Sequence, residues 1–143
     1  MKRLVLASGV FDVQHPGHLY FLHRAGELGD GLVVVVTSDK TARAQGKSPQ
    51  LAEGDRLQAV RALPCVDDAI IGDPGMELAS VLRVKPDLIA IGYDQFQDVE
   101  SLRDELRNLG WAGRIIRIGK YGAYSSSSLR RRTSAGPSQL SAK

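Results

Sequence analysis

Four consecutive valines, Val33 to Val36, lie within the apolar run from Leu32 to Thr37. A strand with one face in water alternates apolar and polar residues, whereas an unbroken β-branched run is typical of a strand buried on both faces. Such strands occur in parallel sheets that helices cover on each side. The valine run therefore predicts an α/β fold.

The rest of the chain alternates between short β-branched runs and longer amphipathic segments. The predicted strands are 3–8, 32–37, 66–71, 87–91 and 114–118, and the predicted helices are 17–28, 53–63, 74–84, 99–109 and 125–132. This order predicts a Rossmann-like, three-layer α/β/α fold with a five-stranded parallel sheet.

Two segments are expected to lie outside this pattern of strands and helices. Residues 39–50 contain no apolar side chain except two alanines, which favours a mobile loop. Residues 133–143 are rich in Ser, Ala, Gly and Pro and are predicted to form a disordered tail. One domain is therefore expected over residues 1–132.

Composition narrows the class of protein. The chain has 143 residues, of which 43% are hydrophobic and 24% are charged, as in an ordinary globular domain. No apolar run approaches the roughly 20 residues of a membrane-spanning helix, so no membrane partner is expected. The single cysteine, Cys65, cannot form an internal disulfide and is expected to be a buried, inert thiol. This cysteine content predicts a reducing compartment, the cytoplasm.

The net charge of +3 comes from the end of the chain. Arg130, Arg131, Arg132 and Lys143 follow residue 129, and no acidic residue does. The other 15 Lys and Arg are matched by 16 Asp and Glu, which leaves residues 1–129 at about −1. A general basic surface is therefore not expected, and the sequence argues against nucleic acid as a partner.

The segment from Gly9 to His18 (GVFDVQHPGH) joins the first strand to the first helix. In open α/β sheets, ligands bind where the strands end, near the point at which strand order reverses. Gly9 and Gly17 permit close approach of a ligand to the backbone. His15 and His18 are three residues apart at a helix start, where free N–H groups and the helix dipole already attract anions. This arrangement predicts a phosphate site.

The same residues resemble the nucleotidyltransferase superfamily of cytidylyltransferases and adenylyltransferases. Its first motif is Gly-x-Phe-Asp followed by His-x-Gly-His, and a late Ile-Ser-Ser-Thr-x-Ile-Arg motif opens its last helix. The second motif is matched by Tyr124 to Arg130 (YSSSSLR), with serine in place of threonine and Tyr124 and Leu129 in place of the isoleucines. Lys47 lies where the family has a mobile lysine, and Glu53 with Arg56 fits its Glu-x-x-Arg.

The segment from Gly92 to Gln95 (GYDQ) is similar to the archaeal-type FAD synthases, which join AMP from ATP to FMN. The segments 66–72 and 85–90 are similar to that group as well. This resemblance implies ATP and FMN as substrates, with Mg²⁺ or another divalent cation bound mainly through phosphate oxygens and no metal held by the protein alone. Exposed strand edges and the habit of the family favour a homodimer.

The resemblance also implies the site residues. The catalytic set is His15, His18, Lys47 and Arg130. The nucleotide-binding set is Gly9, Val10, Phe11, Gly17, His18, Gly92, Asp94, Tyr121, Ser125, Ser126 and Ser127. The acceptor-binding set is Asp12, Asp39, Lys47, Tyr93 and Gln95.

Other interpretations of the same residues stay open. His15 and His18 could be half of a zinc site or ordinary surface histidines, although only His23 remains as a further histidine. Lys47 could be an ordinary solvated lysine. A cytidylyltransferase that uses CTP and glycerol-3-phosphate would have the same chemistry with a smaller acceptor. A non-catalytic nucleotide-binding domain is the third alternative.

Overall fold

The valine run forms the second of five parallel strands. The computed structural model describes residues 3–12, 16–73, 78–96 and 98–119. The strands are β1 (Leu4–Gly9), β2 (Gly31–Val36), β3 (Asp68–Ile71), β4 (Leu88–Ile91) and β5 (Arg114–Arg117). They pair in the order β3-β2-β1-β4-β5, and every pair is parallel. Strand order therefore reverses between β1 and β4.

Five helices lie between these strands: α1 (Pro16–Gly26), α2 (Asp39–Ala44), α3 (Glu53–Arg61), α4 (Ala79–Val84) and α5 (Val99–Asn108). Alternate residues of β1 point to opposite faces of the sheet, as strand geometry requires. Val5 packs in a cluster with Leu22 of α1 and Val60 of α3, whereas Leu6 packs with Leu102 of α5. The predicted three-layer α/β/α fold is confirmed.

The segment predicted to be a mobile loop contains a helix, so that prediction was wrong for residues 39–44. The hydroxyl of Ser38 accepts a hydrogen bond from the N–H of Thr41 at 3.1 Å and caps α2. Ala42 is fully buried. The helix is too short to show an apolar period, so the sequence pattern gave no sign of it.

Several helix boundaries also differ from the predictions: α3 ends at Arg61 instead of residue 63, and α5 ends at Asn108 instead of residue 109. α1 ends at Gly26 instead of residue 28, and the N–H of Leu28 donates to the carbonyl oxygen of Ala25, three residues earlier, in a tighter turn. α4 begins at Ala79, whereas the predicted start at Pro74 lies outside the described residues. The predicted last helix, 125–132, and the predicted tail, 133–143, also lie outside them.

Candidate active site

A cavity of about 620 Å³ lies at the carboxyl ends of β1 and β4, where strand order reverses. This is the position at which open α/β sheets bind their ligands, and the volume suits a small molecule. The residues that line it are Ser8, Gly9, Val10, Phe11, Asp12, Pro16, Gly17, His18, Tyr20, Phe21, Lys47, Ser48, Pro49, Gly92, Tyr93, Asp94, Gln95, Ile118 and Gly119. Most of the predicted site residues that the structure describes therefore meet at one place.

The loop after β1 is folded tightly around one aromatic ring. Phe11 is buried and has a φ of 51°, in the left-handed region that residues with a side chain seldom adopt. A Cβ atom at Gly9 would lie 2.8 Å from the Phe11 ring, so this packing requires glycine there. The Phe11 and His18 rings meet edge to face, with centroids 5.6 Å apart. Phe11 therefore orients the imidazole of His18.

His18 belongs to the first turn of α1, and this turn forms one wall of the cavity. The helix begins at Pro16, a residue that is preorganised for the first helical position. Gly17 and His18 follow and line the cavity. The first N–H groups of a helix have no partner within it and carry the positive end of its dipole. This wall can therefore hold a phosphate group.

Asp12 fastens the segment that carries Lys47. Its two carboxylate oxygens accept the backbone N–H groups of Gln50 at 2.8 Å and Leu51 at 2.9 Å. These bonds hold the pKa of Asp12 below its ordinary value, since they favour the ionised carboxyl. Lys47 is exposed and lines the cavity together with Gly17 and His18 of α1. The predicted acceptor role of Asp12 is therefore accompanied by a structural one.

Arg56 is fully buried, and its side chain joins three parts of the chain near the cavity. Its guanidinium donates to the carbonyl oxygens of Leu51, Val10 and Thr37 at 3.0, 2.8 and 2.8 Å. Its fourth partner is the carboxylate of Asp39 at 2.6 Å. The Glu-x-x-Arg pattern thus supplies a buried cation that ties the loop after β1 to the loop after β2.

Asp39 was expected to bind the acceptor, but it is not among the residues that line the cavity. Its carboxylate pairs with Arg56, and this hydrogen bond lowers its pKa. The N–H of Asp39 donates to Glu53 at 2.8 Å, and the N–H of Glu53 donates back to Asp39 at 3.3 Å. Asp39 therefore joins the starts of α2 and α3, since its side chain is directed to them.

The loop after β4 forms another wall of the cavity. Tyr93 and Asp94 are exposed there and line the cavity. The side chain of Gln95 turns back to the protein: its Oε1 accepts the N–H of Gly92 at 2.8 Å, and its Nε2 donates to the carbonyl oxygen of Ser8 at 3.1 Å. The amide that was expected to meet the acceptor is therefore engaged with the backbone.

Arg117, which the sequence analysis missed, holds this loop from outside. Its guanidinium donates to four carbonyl oxygens of the loop, those of Gly92, Tyr93, Gln95 and Phe96. No local motif marks the residue, because its partners lie 21 to 25 positions away. A basic residue at the carboxyl end of a strand beside the cavity was the one signal that the sequence offered.

Several predicted site residues lie outside the described part of the chain. They are His15, Tyr121, Ser125, Ser126, Ser127 and Arg130. Their roles, and the approach of the last helix to the cavity, stay predictions that rest on the resemblance.

The described residues contain no group of three or more His, Cys, Asp or Glu side chains that could hold a metal ion. Cys65 is half-buried, and burial raises the pKa of its thiol, which disfavours the reactive thiolate. Within the same residues, no helix is both long and apolar enough to cross a bilayer.

The model of the cytidylyltransferase-like family matches residues 6–132, almost the whole of the described fold. The chain belongs to this family. The resemblance to the nucleotidyltransferase superfamily is thereby confirmed, and the matched range includes both motifs, among them the one beyond the described residues.

Relatives within the family share nearly half of their residues with this chain. A protein of Thermoplasma volcanium named FAD synthase is 45% identical over 130 residues, which cover 90% of this chain and 92% of the relative. The FAD synthase of Thermoplasma acidophilum is 46% identical over 129 residues, which cover 90% and 91% of the two chains. That of Methanothermobacter thermautotrophicus is 47% identical over 122 residues, 83% of this chain and 81% of the relative.

Solved structures agree with the architecture. The crystal structure of a lipopolysaccharide core biosynthesis protein from Thermoplasma volcanium superposes with a TM-score of 0.82 at 45% identity, and covers 85% of this chain and 99% of that one. A pantoate-beta-alanine ligase from Francisella tularensis superposes with a TM-score of 0.58 at 13% identity, over 88% of this chain and 65% of that one. The latter shares the fold.

Proposed function

We propose that this chain is an FMN adenylyltransferase, an FAD synthase that joins the AMP part of ATP to FMN and releases pyrophosphate. The observation that carries the proposal is the cavity at the reversal of strand order, with Gly17 and His18 at the start of α1 in its wall. Relatives named FAD synthase, 42–47% identical over most of the chain, support the choice of substrates.

The reaction needs no covalent enzyme intermediate. A terminal phosphate oxygen of FMN forms a bond to the α-phosphorus of ATP, while the bond from that phosphorus to the oxygen of the β-phosphate breaks. Pyrophosphate leaves with the bonding electron pair. Transfers of this kind depend on positioning and on stabilisation of charge, which fixed hydrogen-bond donors supply.

The wall at α1 holds the phosphates in this proposal. Gly17 allows the triphosphate to approach the helix start, and His18 donates a hydrogen bond to the charge that develops at the α-phosphate. Phe11 keeps the imidazole in place through the contact between the two rings. His15, Ser126, Ser127 and Arg130 are assigned to the same phosphates on the resemblance alone.

Lys47 brings a positive charge to the lining of the same cavity. It is exposed, and it lies on a segment held at Gln50 and Leu51 by the carboxylate of Asp12. A long, flexible side chain on a fixed segment can follow the α-phosphate through the reaction. We assign Lys47 this role, with Tyr93 and Asp94 contacting the nucleoside and the acceptor from the loop after β4.

A divalent cation such as Mg²⁺ is expected to accompany ATP. The residues described at the cavity offer Asp12 and Asp94 and no group of three ligands, and both oxygens of Asp12 already accept backbone N–H groups. This donor set fits a cation held mainly by phosphate oxygens, which is common for Mg²⁺. When bound, the ion would neutralise phosphate charge.

The proposal also includes a compartment and an oligomeric state. We place the enzyme in the cytoplasm, because its single cysteine suits a reducing compartment. We expect a homodimer, and sedimentation equilibrium tests this with a mass about twice the 15.5 kDa of one chain.

An end-point assay that pairs each nucleotide with each acceptor tests the proposed function. ATP and CTP are each incubated with FMN, glycerol-3-phosphate or ethanolamine phosphate, and pyrophosphate is measured. The proposal predicts release with ATP and FMN, together with FAD on chromatography. Release with CTP and glycerol-3-phosphate instead would identify a cytidylyltransferase, and release with no pair would leave a nucleotide-binding domain.

A further inference from the structure

One arginine side chain donates hydrogen bonds to several backbone carbonyl oxygens of the loop after β4. Arg117 ends β5 and is paired in the sheet with Ile91, the last residue of β4. Its Nη1 donates to the carbonyl oxygens of Gly92 at 2.8 Å, Tyr93 at 3.1 Å and Gln95 at 2.8 Å, and its Nη2 donates to that of Phe96 at 2.8 Å. The loop is therefore wrapped around a guanidinium.

This wrapping imposes a backbone shape that the loop would not keep alone. Carbonyl dipoles that converge on one point repel each other, and a planar cation with several N–H donors offsets that repulsion. Phe96 has a φ of 49°, which a residue with a side chain keeps only when its surroundings hold it. The charge and the N–H donors of Arg117 offset the repulsion between the carbonyl groups and hold the backbone of Phe96 in place.

Gln95 fixes the same loop from within. Its side-chain amide accepts the N–H of Gly92 and donates to the carbonyl oxygen of Ser8, in β1 on the other side of the reversal of strand order. The loop is thus held by β5 through Arg117 and by β1 through Gln95. Its place relative to the α1 wall is set by both neighbouring strands.

The loop in turn supplies Gly92, Tyr93 and Asp94 to the lining of the cavity, whereas Arg117 itself is not part of that lining. We propose that Arg117 is a positioning residue, which holds the 92–96 loop in the shape that binds the nucleoside part of the nucleotide without contacting the nucleotide. The inference rests on the proposed function, because it takes ATP as the ligand of this cavity.

Binding of two ligands to Arg117→Met separates positioning from general stability. Methionine has a similar length and no donors, so the loop should lose its shape. Calorimetric titration should show the Kd of ATP raised about tenfold or more, as expected when charge-assisted hydrogen bonds that shape the site are lost. Tripolyphosphate has no nucleoside and so does not depend on the 92–96 loop, and its Kd should stay within about twofold. Partial unfolding would lower the bound fraction of both ligands alike.

Two further variants sharpen the result. Arg117→Lys keeps the charge with fewer donors and should recover only part of the ATP affinity. Arg114→Met removes another exposed arginine of β5, at the strand's opposite end, and should leave both Kd values unchanged. An ATP Kd of wild-type size in Arg117→Met, or equal weakening of both ligands, overturns the inference.

The wild-type chain in the same series distinguishes this inference from the proposed function. If it binds ATP but forms no FAD with FMN, the proposed function fails while the comparison of Kd values still decides the role of Arg117. If the wild-type chain binds no ATP, both are overturned.

Discussion

The two ends of the sheet are built by opposite means. At the amino end, three aspartates each accept a backbone N–H at 2.7 Å: Asp30 from Arg3, Asp87 from Leu4 and Asp67 from Leu32. At the carboxyl end, backbone groups converge on two arginines, Arg56 and Arg117, and the loops between them enclose a cavity. At the amino end, short carboxylates accept strand N–H groups. At the carboxyl end, arginines donate to the carbonyl oxygens of the loops around the cavity.

Because of this difference, we expect substitutions at the two ends to affect different properties of the protein. The amino-end carboxylates satisfy strand N–H groups locally, so substitutions there should alter stability and leave ligand binding intact. The carboxyl-end arginines position loops that line the cavity, so substitutions there should alter binding or catalysis as well. The following variants test that division, beginning with the largest effect.

Arg56→Met should be the most destabilising change. The arginine is fully buried, and its loss leaves the carbonyl oxygens of Val10 and Thr37 and the carboxylate of Asp39 without their cation. Removing one partner from such a network lowers the free energy of unfolding by about 3 kcal/mol or more. Urea unfolding measures the loss.

The matched control for that variant is Arg61→Met on the same helix. Arg61 is exposed and donates to the carbonyl oxygen of Ala69, so its loss should lower the free energy of unfolding by less than about 1 kcal/mol. Equal losses in the two variants would contradict the central place given to Arg56.

His18→Ala should lower kcat for FAD formation by about 10²-fold or more, the size seen when one charge-stabilising donor is removed. The free energy of unfolding should change much less, since the ring is half-buried at the rim of the cavity. His23→Ala, on the exposed face of the same helix, should keep the wild-type kcat. A kcat of wild-type size in His18→Ala would remove its assignment.

Asp87→Ala tests the amino end of the sheet. It removes the acceptor of the Leu4 N–H and should lower the free energy of unfolding by about 1 kcal/mol. The KM values for ATP and FMN and the kcat should stay as in the wild type. If Asp87→Ala raised the KM for ATP or FMN, the division between the two ends would fail.

Asp98→Asn should have the smallest effect, seen only in acid. The N–H of Ser101 donates to the Asp98 carboxylate, which caps α5, and holds its pKa below the ordinary value. Such a carboxyl stabilises the fold above its unfolded pKa of about 3.9, and that contribution is lost as the pH falls through the folded pKa. Asparagine caps equally well but does not titrate.

Urea unfolding from about pH 6 down to about pH 2 tests this expectation. The stability of Asp98→Asn should fall less steeply below about pH 4 than that of the wild type. Identical slopes would show that the cap contributes nothing to acid sensitivity.

The sequence predicted most of the fold because hydrophobic periodicity, and with it the order of strands and helices along the chain, is a local pattern. The valine run lies in β2, the other β-branched runs lie in the other four strands, and Gly17 and His18 line the cavity. The helix α2 was missed because its stability comes from the Ser38 cap and from Asp39, whose partner Arg56 lies 17 positions away. A polar window carries no sign of such a contact.

The roles of Gln95 and Arg117 show the same limit within the site. Gln95 belongs to the segment 92–95, which the sequence analysis found similar to the archaeal-type FAD synthases. Its side chain nevertheless donates to the carbonyl oxygen of Ser8, 87 positions earlier in the chain. Arg117 stands in no motif, yet it holds the motif's backbone. Residue type predicted many of the described residues that line the cavity, whereas long-range hydrogen bonds decide which side chains face the cavity and which support its walls.

Backbone amide signals of glycines at the two ends, followed by NMR during titration with ATP, test the central claim most directly. Gly9, Gly17 and Gly92 line the cavity, whereas Gly29 and Gly31 lie at the amino end. The account predicts that ATP shifts the first three signals and leaves the last two in place. Shifts confined to Gly29 and Gly31, or none at Gly17 under saturating ATP, would contradict it.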